Sequence, residues 1–182
     1  TRQRIAEEGL RSFSRVGYEQ TTLEAVAQAA GVAPRTLYHH FKTKIDLLLF
    51  FHDADLISEI AATIQQQPPD WKAMRRARDC LLTLVPRYET QTMVETYRIW
   101  NSTEALRAQK QLMFSQIEEA LFDGLTASGA GPQDELALRM IAMTATGTLR
   151  IAMEMGRHEA AYRPVRDRLV EAFDTLRIND QG

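Results

Sequence analysis

The stretch from Thr21 to Lys44 concentrates the side chains that could do chemistry. Two short helical patterns, about Leu23 to Ala30 and Pro34 to His40, flank Ala30-Gly31-Val32-Ala33. Glycine can take the left-handed conformation that a tight interhelical turn needs. Val32 can plug the angle between the helices. In a helix-turn-helix the second helix enters the major groove of DNA, with its N-terminal residues at base edges. That surface would be Pro34, Arg35, Thr36, Tyr38 and His39, while Leu37 and Phe41, four apart, point into a core. The exposed face offers a guanidinium, a hydroxyl, a phenol and imidazoles, all suited to base or phosphate contacts. An ordinary helical corner has the same local pattern, so the turn alone does not decide.

Other chemistry finds little support. The sequence has no GxSxG, no HExxH, no phosphate-binding glycine loop and no CxxC. The adjacent His39 and His40 cannot chelate one metal from the same helix face, and neither has an obvious carboxylate partner. No catalysis, no cofactor and no metal is expected. Cys80 is the single cysteine, so no internal disulfide can form, which fits a reducing, cytoplasmic setting. The longest strictly apolar run, Leu47 to Phe51, is far below the ~20 residues needed to span a bilayer, so no membrane partner is expected. The opening Thr1-Arg2-Gln3-Arg4 leads into an amphipathic pattern rather than a secretory apolar region, and it leaves open whether a basic arm precedes Thr1.

These side chains need a scaffold, and the period is helical nearly everywhere. The chain of 182 residues allows one domain, or a small head on a larger body. Net charge is −2 overall. Residues 1–50 hold seven basic and five acidic groups, net +2, and the remainder is net −4. That is the balance of a cationic head on an acidic body. Ile5, Ala6, Gly9, Leu10 and Phe13 form one stripe of a first helix, Arg2 to Val16, with Gly17 as its stop. Thr21 with Glu24 has capping-box spacing, as has Thr43 with Asp46. The second box starts a long helix, about Lys44 to Gln66, ended by Gln67-Pro68-Pro69-Asp70. Five more helices follow, about Trp71–Val85, Gln91–Trp100, Thr103–Ala127, Gln133–Met155 and Tyr162–Ile178, with a break at Ser128-Gly129-Ala130-Gly131-Pro132. The expectation is an all-α protein of about nine helices. A helix-turn-helix head would occupy residues 1–45, and a larger helical body residues 46–182.

Ile5-Ala6, Phe13, Gly17, Thr21-Thr22, Val26-Ala27, Ala30-Gly31-Val32, Thr36-Leu37-Tyr38, His40-Phe41, Lys44 and Leu47-Leu48 together resemble the TetR family of bacterial transcriptional regulators. The likeness covers about the first fifty residues. It implies a ligand-responsive repressor that binds a pseudo-palindromic double-stranded operator as a homodimer. Thr22 would contact phosphate. Arg35 would read guanine through its bidentate fork, with Thr36 and Tyr38 beside it in the groove. His39 and His40 would sit at the backbone edge, and Lys44 would hold phosphate at a helix N-terminus. Pro34 opens the recognition helix. Where the family usually has Ser or Thr before that helix, this chain has Ala33, so a cap worth ~1 kcal/mol is missing and the helix is expected to be loose until DNA binds.

For the body the family implies a four-helix bundle across a two-fold axis, built from the last two helices. Met140, Leu149, Leu169 and Phe173 are the expected dimer contacts. Between Leu136 and Met155 apolar residues cover nearly the whole circumference, and such a helix must be buried on both sides. The segment from Tyr97 to Arg107 is similar to a stretch of the subgroup with an acyl-CoA-like ligand-binding domain, although Glu104 stands where proline is common. Trp71, Met74, Met93, Tyr97, Trp100, Met113 and Phe114 would line an apolar effector pocket for an acyl-CoA or fatty-acid-like molecule. Arg98, Arg107 or Lys110 would hold an anionic headgroup at its mouth. The helix from Lys44 to Gln66 would couple that pocket to the head. The competing reading is a helical small-molecule or lipid carrier without DNA binding, which would not need the exposed Arg35-Thr36-Tyr38 surface.

Overall fold

The computed structural model describes residues 1–51, 54–129, 134–155 and 163–178. They form ten α-helices and, among the described residues, no strand. These are α1 Arg2–Val16, α2 Leu23–Ala29, α3 Pro34–His40, α4 Lys44–Leu49, α5 Ala54–Gln65, α6 Ala73–Tyr88, α7 Gln91–Trp100, α8 Glu104–Ala127, α9 Glu135–Met155 and α10 Val165–Ile178. They fall into two compact units. Residues 1–53 and 90–110 make the first, and residues 54–89 and 111–182 the second. The first unit thus holds the expected head together with residues 46–53, α7 and the opening turns of α8.

The extra helix arises where one long helix, Lys44 to Gln66, was expected. The helix ends at Leu49 instead. At Phe51 the backbone N–H bonds back only three residues, to Leu48, at 3.2 Å, which tightens and closes the last turn. Phe50 meets Phe41 edge-on at 6.0 Å and Phe51 at 5.3 Å, and the Arg2 guanidinium lies 5.2 Å from the Phe50 ring. An aromatic cluster thus sits where α4 ends. His52 and Asp53 lie outside the described residues.

In the first unit α1 is the hub. Its stripe of Ile5, Ala6, Leu10 and Phe13 is buried against Val26, Ala27, Leu37, Phe41, Leu47 and Leu48. Gly9 lets α4 come close, since a Cβ there would stand 3.0 Å from Leu47 Cδ1. Ile99, Trp100 and Leu106, from α7 and the start of α8, join the same core.

The second unit is built on α6, α9 and α10, with α5 packed on α6. Arg76 is 2% exposed and organises the break after α5. Its guanidinium donates to the carbonyls of Trp71 at 3.2 Å, Ile64 at 3.3 Å and Pro68 at 2.8 Å. One fixed fork thus ties the end of α5 to the loop that follows it. Helix α6 was expected to stop before Pro86, yet it continues to Tyr88. Arg87 and Tyr88 hold that last turn by donating to Glu59 at 3.0 and 2.9 Å, which offsets the N–H that proline lacks.

Helix α9 is the one described helix long and apolar enough to cross a membrane. Its inner face nevertheless packs Leu138, Ala142, Ala145, Leu149 and Ala152 into the core of the second unit. Its other face leaves Leu136, Met140, Met143 and Ile151 about half exposed or more. The expected interface set therefore divides. Met140 is 50% exposed, whereas Leu149, Leu169 and Phe173 are at most 3% exposed within the single chain. The helical period places Leu149 on the inner face, and α10 turns Leu169 and Phe173 toward it, so these three belong to the core of the second unit. Burial pushes the Cys80 thiol in this core up to about 12.

Replacing Arg76 by Ala should destabilise the fold by about 3 kcal/mol, because it removes three charge-assisted bonds and empties a buried site. The neighbouring Arg75, stacked on Trp71 at the surface, should cost less than about 1 kcal/mol as Ala. Urea denaturation of the two variants measures the contrast.

Candidate nucleic-acid interface

Helices α2 and α3 are joined by a Schellman turn. Gly31 has φ +62°, as a left-handed turn residue must. The Val32 N–H bonds to the Ala27 carbonyl and the Gly31 N–H to that of Gln28, both at 3.0 Å. Val32 is half-buried against the core of the first unit. Leu37 and Phe41 are almost wholly buried, which fixes the rotation of α3 about its axis. Arg35, Tyr38 and His39, spaced by three and four, then form its exposed stripe. Thr36 and His40 flank it, half-buried, and Pro34 opens it. Arg35 makes no hydrogen bond or ion pair with the described residues, so its full fork is available to a ligand. As Ala33 requires, the helix has no side-chain cap at its start.

The start of α2 differs by one residue from the expected capping box. Thr21 is buried and donates its hydroxyl to the Gly17 carbonyl at 2.7 Å. Thr22 is the N-cap, accepting from the Ala25 N–H at 3.1 Å. Its own hydroxyl proton remains for a phosphate. Glu24 consequently caps nothing. Its carboxylate accepts from the Tyr38 hydroxyl at 2.5 Å. That bond pulls the Glu24 carboxyl below its ordinary range and holds the Tyr38 phenol above its own.

At the start of α4 the second box forms as expected. Thr43 accepts from the Asp46 N–H, and Asp46 Oδ2 accepts from the backbone of Lys42 and Thr43 at 2.7 and 2.8 Å. The Asp46 carboxylate thereby occupies the place where a phosphate was expected on this helix end. Lys44 is also engaged. Its ammonium donates to the carbonyls of Tyr18 at 2.6 Å and Glu19 at 3.1 Å and lies 4.6 Å from the Tyr18 ring. It staples α4 to the loop after α1 and has one N–H left for DNA. Sequence reasoning missed Lys42, which is exposed and donates to the Tyr38 carbonyl at 2.7 Å. A basic residue just past a helix C-terminus was the available signal. Glu24 was missed because its spacing suggested a cap.

The residues expected around an effector fall in both units. In the first, Trp100 is 2% exposed in the core, and Tyr97 lies beneath the Lys110 ammonium, 4.8 Å from its ring. Lys110 was expected at the mouth of a pocket, holding an anionic headgroup. It is 4% exposed instead and donates to Asn101 Oδ1 at 2.6 Å. Arg98 and Arg107 are exposed. In the second unit, Phe114 is buried in the core, and Met74 and Met113 pack against it. Trp71 is half-buried, with the Arg75 guanidinium 3.7 Å from its ring. The Met93 side chain lies outside the described residues.

Residues 5–49 match the family described as "Bacterial regulatory proteins, tetR family". This segment is a TetR-family DNA-binding domain. It is 43% identical over 49 residues to the HTH-type transcriptional regulator TcmR of Streptomyces glaucescens, which is 27% of this chain and 22% of that protein. Over 125 residues, 67% of the chain, it is 26% identical to the HTH-type transcriptional regulator SAB2452 of Staphylococcus aureus and spans 65% of it. The chain thus matches less than two thirds of the length of either relative. Both are regulators of transcription rather than enzymes. Solved structures share the TetR fold along nearly the whole chain. A SmeT–triclosan complex superposes with TM-score 0.62 at 20% identity, covering 96% of this chain and 90% of that one. FadR of Thermus thermophilus with lauroyl-CoA gives 0.60 at 18% identity, covering 97% and 93%.

Replacing Thr22 by Ala should remove the only side-chain cap of α2 and cost about 1 kcal/mol, whereas Ser should be nearly neutral. Thermal unfolding of the two variants distinguishes them.

Proposed function

We propose that the chain is a cytoplasmic, ligand-responsive transcriptional repressor. It binds a pseudo-palindromic operator as a homodimer and is released by a small apolar or amphipathic effector. The observation that carries this reading is the stripe of Arg35, Tyr38 and His39 on the second helix of a TetR-family head. Arg35 is the base reader, its unengaged fork matching the O6 and N7 acceptors of guanine. Thr36 and Tyr38 share the groove with it. Thr22, Lys42, Lys44 and the two histidines hold the phosphate backbone on either side, a sequence-independent contribution. The head at residues 1–45 is the DNA-binding domain, and residues 46–182 carry effector binding and dimerisation.

Dimerisation is supported by the outer face of α9. Leu136, Met140, Met143 and Ile151, with Leu176 on α10, are large apolar side chains 43% to 68% exposed. An apolar patch of this kind on a soluble chain marks an interaction surface. Gly147, on the same helix, has open space where its Cβ would stand, so a second helix can approach closely. The effector class rests on the neighbours, one complexed with triclosan and one with lauroyl-CoA. Met74, Met113 and Phe114, which meet in the second unit, remain the proposed lining.

Two expectations follow, tested by mobility shift and sedimentation on an operator selected from random DNA. Arg35→Ala should cost ~1–3 kcal/mol on the operator and relax one base position per half-site, leaving random DNA nearly unaffected. Equal loss on both DNAs would mean that Arg35 touches only the backbone. Met140→Asp with Ile151→Asp should yield folded monomers that no longer span half-sites ~34–36 Å apart. A folded monomer with full operator affinity would sink the dimer. Phe173→Asp should instead unfold the second unit.

A further inference from the structure

The bond between Tyr38 and Glu24 sets the polarity of the recognition surface. Neither residue belongs to the core, and both are exposed on the side of α3 that also carries Arg35. A phenol has one proton to donate and lone pairs to accept with. Here the proton is committed to Glu24 Oε1 at 2.5 Å, the short distance of a charge-assisted bond. An incoming ligand therefore meets the Tyr38 oxygen as an acceptor only. Phosphate oxygens are also acceptors, so the phenol has nothing to give them, and the Glu24 charge beside it repels them. In the major groove the available donors are the amino groups of adenine N6 and cytosine N4.

Taking the DNA-binding reading above as its basis, we propose that Glu24 is a positioning residue that makes Tyr38 a base reader, selecting an adenine or cytosine amino group rather than contacting phosphate. Arg35 stands one turn away and can only donate. The two side chains then ask complementary questions of neighbouring base edges, an acceptor pair from guanine and an amino donor from adenine or cytosine. Helix α2 enters recognition without touching a base, through the one carboxylate that its shifted cap leaves free.

The test uses the full chain as wild type, Tyr38→Phe, Glu24→Ala and Glu24→Gln, with circular dichroism melts to confirm that each folds. Operators are selected from random DNA with the wild type. Each adenine is then replaced in turn by purine, and each cytosine by 2-pyrimidinone, which removes only the amino group. The wild type should lose roughly tenfold at one position per half-site, the size of one hydrogen bond, and Tyr38→Phe should lose nothing further there. Glu24→Gln, whose amide oxygen still accepts the phenol proton, should keep that discrimination. Glu24→Ala should lose it and bind random DNA more tightly, since the freed hydroxyl can then donate to phosphate. If Tyr38→Phe weakens operator and random DNA equally, or Glu24→Ala keeps the discrimination, the inference is overturned while the DNA-binding reading stands. A wild type that selects no sequence overturns both.

Discussion

A single left-handed backbone position, Gly31, decides where the chemistry of this protein points. The Schellman bonds from Gly31 and Val32 back to Gln28 and Ala27 end α2 and release the chain into α3 at a fixed angle. Leu37 and Phe41 then lock the rotation of α3 by burial. With angle and rotation both set, Arg35, Tyr38 and His39 have no choice but to face outward. A side chain at position 31 would be strained by the positive φ even though nothing crowds it, so the constraint is conformational rather than steric. The cationic character expected of this surface is modified by Glu24, which trades net charge for a directed phenol.

The same logic of satisfied backbone recurs in the second unit. Its helices meet at loops whose carbonyls and N–H groups must go somewhere. Arg76 collects three carbonyls after α5, and Glu89, following α6, accepts the N–H of Val165 at the start of α10 at 2.7 Å. These are charged side chains spent on the main chain, not on partners in solution. In the first unit the buried Lys110 is spent on a side chain instead, the Asn101 Oδ1.

What was legible in the sequence was whatever a one-dimensional period encodes. The stripe of α1, the breaks at Gly17, Gly31 and Gln67–Asp70, the second capping box and the inward Leu37 and Phe41 all follow from spacing, and the structure has them. The resemblance of the first fifty residues placed the head. What was not legible depends on which of two equivalent options the fold selects. Thr21 and Thr22 compete for one cap, and burial of the first decides it. Leu149 and Met140 both lie on an apolar helix, and only packing against α6 and α10 tells the inner face from the outer. The end of α4 at Leu49 coincides with a cluster of Phe41, Phe50 and Arg2, which no local period announces.

The missing cap on α3 bears on how the head meets DNA. Ala33 leaves the first turn of the recognition helix without a side-chain acceptor. Its last turn is held twice over, by the Lys42 ammonium on the Tyr38 carbonyl and by the Tyr38 hydroxyl on Glu24. Order in α3 therefore comes from its C-terminal end and from the burial of Leu37, while at its start Thr36 and Leu37 donate to the Ala33 carbonyl, Pro34 has no N–H, and only the Arg35 N–H is left unpaired. That N–H and the guanidinium fork belong to one residue, Arg35, and both are satisfied by acceptors. A groove edge rich in guanine, with the phosphates beside it, supplies acceptors to each. The uncapped end is thus less a defect of the helix than a demand that DNA can meet.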